Sequence, residues 1–249
     1  MQTIAIIGKS KVGGSLAKAI RTSGKYKLSA IVSARVAVYP KFDADVLIIA
    51  AKDDTIEEVA RKALNAASDR LRLVVHLSGS RPSTILPVRG STMRLTMHPI
   101  QTFPKPDASL FHGIHWMASS DDPLAIRWAR QFVAGLGGKS VIMLPAEALP
   151  LYHAMTVFAA NFLTLLGGAI EEISGALGQD PKKMKVALRP LMENSLKNML
   201  AKPAKEALTG PIARKDFETI RKHQKALKTI DPKLKKIYDA FLEFGLEMV

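Results

Sequence analysis

The stretch Thr3-Ile-Ala-Ile-Ile-Gly8-Lys9-Ser10-Lys11-Val12-Gly13-Gly14-Ser-Leu-Ala-Lys-Ala-Ile20 runs from an apolar segment through a glycine turn into a segment with helically spaced apolar residues. In that order a strand enters a tight bend. The helix leaving the bend aims its free N–H groups and its positive dipole end at whatever lies over it, which makes an anion site. Measured against Gly-x-Gly-x-x-Gly, the spacing of a dinucleotide-binding turn, the chain keeps the outer glycines as Gly8 and Gly13 and carries Ser10 in the middle. The first glycine permits the bend and the third lets helix and strand pack closely. Ser10 adds a Cβ and a hydroxyl where a pyrophosphate approaches most nearly; either the hydroxyl donates to a phosphate oxygen or the residue weakens binding. Gly8, Lys9, Ser10, Lys11, Val12 and Gly13 are the candidate phosphate-side residues.

Outward from this turn, strand and helix signals alternate. Strands are expected over 3–7, 28–33, 45–51, 73–77, 94–97, 113–118 and 139–144, and helices over 12–23, 55–67 and 123–136. Near-continuous apolar strands in such an alternation predict an α/β fold, a mostly parallel, doubly wound sheet covered on both faces. From residue 146 helical periodicity takes over, over 151–177, 181–201, 216–227 and 232–248. Within it, Asp180-Pro181 reads as a cap and first turn. The expected domains are therefore 1–145, nucleotide-binding, and 146–249, all-α. Residues 154–170 are apolar enough to raise a membrane span, but Asn161, Thr164 and Gly167-Gly168 interrupt them and the run is short for one. A buried or interface helix is the preferred reading.

Composition narrows the function classes. The chain has 249 residues, 47% of them hydrophobic, and no cysteine, so disulfides, thiolate metal sites and cysteine nucleophiles are excluded. Its first apolar run reads as a strand and not as a signal sequence, so a cytoplasmic location is expected. A net charge of +14 raises nucleic acid as a partner. The lysines, however, are spread along helical segments such as Lys182-Lys183-Met-Lys185, without interleaved aromatics, and solvated helix faces explain them.

A dinucleotide site is tuned at the end of its second strand, where an acid receives the ribose hydroxyl of NAD and an arginine accommodates the 2′-phosphate of NADP. Here that strand ends in Ser33-Ala34-Arg35, with no acid before Asp43, which favours NADP. The third strand ends in the small residues Ala50 and Ala51, leaving room for a cofactor, followed by Lys52; Asp53 and Asp54 are read as caps of the next helix. The fourth ends at Ser78, also assigned to the cofactor, and the fifth at His98, which is either a proton-exchanging group or a structural histidine ahead of Pro99. His112-Gly-Ile-His115 lacks a third ligand, so no metal is expected. A Gly-x-Ser-x-Gly nucleophile elbow is absent.

The chain resembles the NAD(P)-dependent reductases that join a Rossmann domain to a helical C-terminal domain, among them pyrroline-5-carboxylate reductases and 6-phosphogluconate dehydrogenases. It resembles most the Rossmann-like proteins with a DUF2520 C-terminal domain. The likeness is carried by Gly8 to Gly13, Leu77-Ser78-Gly79, Met97-His98-Pro99-Ile-Gln101-Thr102-Phe103, Tyr152-His153-Ala154 through Asn161-Phe162, and Leu208-Thr209-Gly210-Pro211-Ile-Ala-Arg214-Lys-Asp216. The resemblance implies that Met97-His98-Pro99 borders nicotinamide and substrate. It also implies that Thr209-Gly210-Pro211 lines the substrate site, unless it is only a turn opening a helix. Hydroxyacid dehydrogenases of this superfamily place a catalytic lysine in a four-residue register that here reads His153-x-x-x-Val157-x-x-x-Asn161. The lysine is missing. His153 either takes its place with Asn161 orienting substrate, or both are interface residues satisfied by a partner chain.

The leading expectation is an NADP-dependent oxidoreductase acting on a small carbonyl or imine compound, with His98, His153, Asn161 and Thr209 at the substrate and a homodimer formed through the C-terminal helices. A non-catalytic NADP-binding sensor or interaction protein is the alternative, and a nucleic-acid binder the weakest.

Overall fold

The computed structural model describes residues 1–249, which divide into two compact units, Met1–Ala160 and Asn161–Val249. In the first, seven strands form one sheet: β1 (Gln2–Ile7), β2 (Tyr26–Val32), β3 (Val46–Ile49), β4 (Leu73–His76), β5 (Met93–Pro99), β6 (His115–Ser119) and β7 (Ser140–Met143). Their order is β2-β1-β3-β4-β5-β6-β7. All neighbours are parallel except β5 and β6. That exception follows from the connection, since the residues between β5 and β6 hold one short 3-10 turn and no crossover helix to reverse the chain.

Three helices cover the sheet: α1 (Lys11–Ser23), α2 (Ile56–Ala66) and α3 (Pro123–Gly135). Alternation along β1 divides the core. Ile4 and Ile6 join Leu16, Ile20, Trp116 and Phe132 on the α1 and α3 face, whereas Ala5 and Ile7 join Ile56, Val59 and Ala63 on the α2 face. Because both faces are buried, β1, β3 and β4 are apolar without alternation. Trp116 stacks on Phe111 at 5.2 Å, with its indole N–H buried and unpartnered. Trp128 Nε1 donates to Gln2 Oε1 at 2.7 Å.

The sequence puts a boundary near Pro145, but the first unit continues to Ala160 and includes α4 (Leu149–Val157). Leu149 and Tyr152 are buried against Met117, which ties this helix to the sheet. A π-helical turn, Phe158–Phe162, follows. The helical run Ala146–Ala176 spans 31 residues, so it meets the length of a membrane span that 154–170 alone lacks.

The second unit holds α5 (Leu163–Ala176), α6 (Pro181–Ala201), α7 (Ala204–Ala207), α8 (Gly210–Ala213), α9 (Phe217–Ile230) and α10 (Pro232–Met248). Asp180 caps α6, accepting from Lys182 N at 2.8 Å, with Pro181 in the first turn. α5 packs on α6, while α8, α9 and α10 pack on one another. The His223–Tyr238 (3.0 Å) and Gln224–Asp239 (2.8 Å) hydrogen bonds hold α9 to α10. Ile220 and Leu234 are the large apolar side chains buried in this unit, while Leu165, Val186, Leu200 and Phe244 are 67%, 73%, 76% and 65% exposed.

Candidate functional site

In an open sheet of order 2-1-3-4, the connection after β1 and the connection after β3 lead to opposite sides, and the crevice lies at the carboxyl ends of β1 and β3. The glycine turn occupies that crevice. Gly8 has φ +130°, and a Cβ there would lie 2.2 Å from Ala50 O. At Gly13 a Cβ would lie 2.1 Å from Gly8 O and 3.0 Å from the Ala50 Cβ. Both glycines are thus required by close backbone approach.

Ser10 has an extended backbone, φ −67° and ψ 173°, that any residue adopts. Its hydroxyl accepts from Gly13 N at 3.2 Å and donates to Ala50 O at 3.2 Å. The side chain therefore caps α1 and ties it to the end of β3. One of the helix's four orphan N–H groups is consumed by this cap; those of Lys11 and Val12 remain unused within the chain.

A cleft of about 890 Å³ opens over the turn, lined by Gly8, Lys9, Ser10, Val12, Ser33, Ala34, Arg35, Ala50, Ala51 and Lys52, together with Thr55, Glu58 and Lys62. Three strand ends thus bring most of the expected cofactor residues to one surface. Ser33 Oγ accepts from Arg35 N at 3.2 Å, shaping the turn that carries the exposed Arg35 to the rim. Glu58 is paired with Lys62 at 2.6 Å, and that ammonium holds its carboxyl below the usual carboxylate range. The residues present fit a dinucleotide: a cradle that a Cβ would fill, free amides at a helix start, and an exposed guanidinium, while the one acid of the cleft, Glu58, is paired with Lys62.

Ser78 plays a different part. Its hydroxyl is buried, donates to Asp53 Oδ2 at 2.8 Å and accepts from the Ser80 and Arg81 amides at 3.2 Å. Asp53 also accepts from Ser80 Oγ at 2.8 Å, so it pins the loop after β4 and does not cap α2. Below this loop His76 is fully buried, its Nδ1 accepting from Ser78 N at 3.2 Å and its Nε2 facing Pro82 O at 3.2 Å and Thr96 Oγ1 at 3.0 Å. Burial pushes its pKa down to about 4.

The loop after β4, the end of β5 and α4 bring together Gly79, His98, Tyr152 and His153. His98 Nδ1 lies 2.8 Å from the Tyr152 hydroxyl. The His153 ring stands edge-on to His98 at 6.1 Å. At Gly79 a Cβ would lie 2.8 Å from His153 Cδ2 and 3.2 Å from His98 Cδ2, so a glycine is needed to admit both rings. Burial first, then the neighbouring His153, push the His98 pKa down to about 4, and burial pushes Tyr152 up to about 12. His98 is therefore a neutral hydrogen-bonding imidazole at pH 7. Tyr152 and Gly79 are the members that sequence reasoning missed as site residues.

Asn161 and Thr209 lie in the second unit. Asn161 falls in the π-helical turn, and Thr209 precedes α8 without a side-chain capping bond. α8, which this turn opens, has four residues, too few for a helix start that binds anions. His115 is engaged by Ser140 Oγ at 2.8 Å.

Known structures share this architecture. BF3122 from Bacteroides fragilis, a "putative NADP oxidoreductase", is 20% identical with a TM-score of 0.81, over 99% of this chain and 98% of that one. Protein TM1727 from Thermotoga maritima is 18% identical with a TM-score of 0.71, over 98% and 97%. The Plasmodium falciparum pyrroline carboxylate reductase, solved with NADP bound, is 12% identical with a TM-score of 0.61, over 99% and 98%. At such identities the likeness is one of fold. No curated protein sequence matches significantly. The family model described as a domain of unknown function, DUF2520, matches residues 114–243. That match covers more than half of a chain already shown to have a Rossmann-like sheet followed by helices, and the chain belongs to the DUF2520 family.

Proposed function

We propose that this protein is an NADP(H)-dependent oxidoreductase acting on a small carbonyl or imine compound. The observation that carries the reading is the convergence of Gly8, the α1 N-terminus, Ser33 and Arg35 on one cleft. The Lys11 and Val12 amides would hold the pyrophosphate. Arg35 would take the 2′-phosphate as a planar, permanently charged fork, with Ser33 beside it, and no acid ends β2 to receive a bare ribose hydroxyl. A nicotinamide dinucleotide, when bound, supplies hydride. Substrate polarisation then falls to the neutral His98, and proton exchange to His153 in the same unit.

The test is thermal unfolding with NADPH and with NADH, since a ligand that binds only the folded state stabilises it by about 2.7 kcal/mol at a hundred times its Kd. NADPH should stabilise more than NADH; stabilisation by neither would end the cofactor reading. NADPH oxidation is then screened with keto and imine acids, using His98→Ala and His153→Ala as controls. Binding without turnover of any of them would favour the sensor.

The second unit is assigned a second copy of the chain as its partner. Eighty-nine residues that bury only Ile220 and Leu234 among their large apolar side chains leave too little core for independent stability. Sedimentation equilibrium should give a dimer, and a monomer at micromolar concentration would refute the assignment.

A further inference from the structure

His98 Nδ1 is engaged by Tyr152 at 2.8 Å, the one hydrogen bond this imidazole makes within the chain. A phenol is the better donor of the pair, and a bare ring nitrogen the better acceptor. Burial keeps the phenol protonated and the imidazole neutral, and of the two arrangements open to such a pair at 2.8 Å the stronger is the one in which the phenol donates to Nδ1. In that arrangement the ring proton of His98 sits on Nε2. That nitrogen has no partner and is not among the buried unpartnered atoms, so solvent or a ligand can reach it.

The surroundings favour one kind of ligand. A neutral N–H can only donate, so it needs a lone pair opposite it; a carbonyl oxygen has one and a protonated imine does not. We propose that Tyr152 is a positioning residue that holds His98 in its Nε2-protonated tautomer, so that the site takes a carbonyl compound in preference to a protonated imine. The substrate half of this proposal rests on the oxidoreductase reading; the tautomer half does not.

The experiment begins with two-bond proton–nitrogen NMR of the full-length protein at pH 7 without ligand. His98→Gln identifies the resonances among the six histidines. The wild-type ring should show Nε2 protonated. Tyr152→Phe keeps the buried ring and removes only the hydroxyl. Loss of a net hydrogen bond should raise the minor tautomer about fivefold. A wild-type ring protonated on Nδ1, or a tautomer ratio unchanged in Tyr152→Phe, overturns the assignment. A second arm compares NADPH oxidation by a keto acid and by a cyclic imine acid protonated at the assay pH. The keto acid should turn over faster, and Tyr152→Phe should lower its kcat about fivefold with little change in KM. Preference for the imine overturns the substrate class. If the tautomer behaves as expected and neither compound reacts, the positioning role stands and the oxidoreductase reading fails.

Discussion

Acidification tests the burial of His76 directly. The ring is 0% exposed, and its pKa falls from 6.5 to about 4 on folding. Above pH 6.5 it is neutral in both states, and the stability associated with keeping it so is fully present. Between pH 6.5 and 4 the unfolded chain takes up a proton that the folded chain refuses, so stability falls as pH falls; below 4 the loss is complete. At about 1.36 kcal/mol for each pH unit between the two values, the whole loss is about 3 kcal/mol, of which about 2 kcal/mol is present by pH 5. Urea unfolding at pH 7.5 and pH 5 measures it. Trp116 and Trp128 are the two tryptophans and both lie in the first unit, so their fluorescence reports on the unit that holds His76. His98 adds a loss of the same sign, and His76→Gln isolates the buried ring. This variant starts less stable, having lost the Ser78 and Thr96 hydrogen bonds, but its fall between the two pH values should be smaller by about 2 kcal/mol. Equal falls in both proteins would refute the reasoning.

Gly13→Ala should destabilise by about 2 kcal/mol or more, because the new methyl meets backbone at 2.1 Å; urea unfolding would count against the packing argument if the loss were under about 0.5 kcal/mol. Ser10→Ala should cost about 1 kcal/mol through loss of the α1 cap, and Ser10→Gly only a few tenths, as judged by the same melts. Leu149→Ala should cost about 3 kcal/mol in the tryptophan-detected transition, since Leu149 is 0% exposed; an unchanged midpoint would show that α4 is not part of the first unit. Arg35→Ala should weaken stabilisation by NADPH about tenfold in apparent affinity and leave that by NADH nearly unchanged.

Much of the fold was legible because burial on both faces writes itself into composition. Residues 46–49 are apolar without a break because β3 has no solvent side. The antiparallel β6 was not legible, since direction is set by the length and form of a connection and not by strand composition. The end of the first unit was missed for a related reason. Leu149 and Tyr152 belong to the same apolar helical pattern as the exposed Leu151 and Met155, and only the packing separates them. That Gly8, Ser33, Arg35 and Ala50 line one cleft was foreseeable, because each belongs to a local turn at a strand end. The His98–Tyr152 pair joins residues 54 apart, and no local signal announces it. Ser10 was an intermediate case. Its position was evident, but whether its hydroxyl served a ligand or the helix depended on Ala50, forty residues away.

The Ser10 cap has a kinetic consequence. Because the hydroxyl closes the turn through Gly13 and Ala50 with no anion present, the loop reaches its working shape when the chain folds and not when a ligand arrives. Encounter then involves a finished socket. Association should be a single phase whose rate rises linearly with ligand concentration, without the plateau that a rate-limiting loop rearrangement imposes.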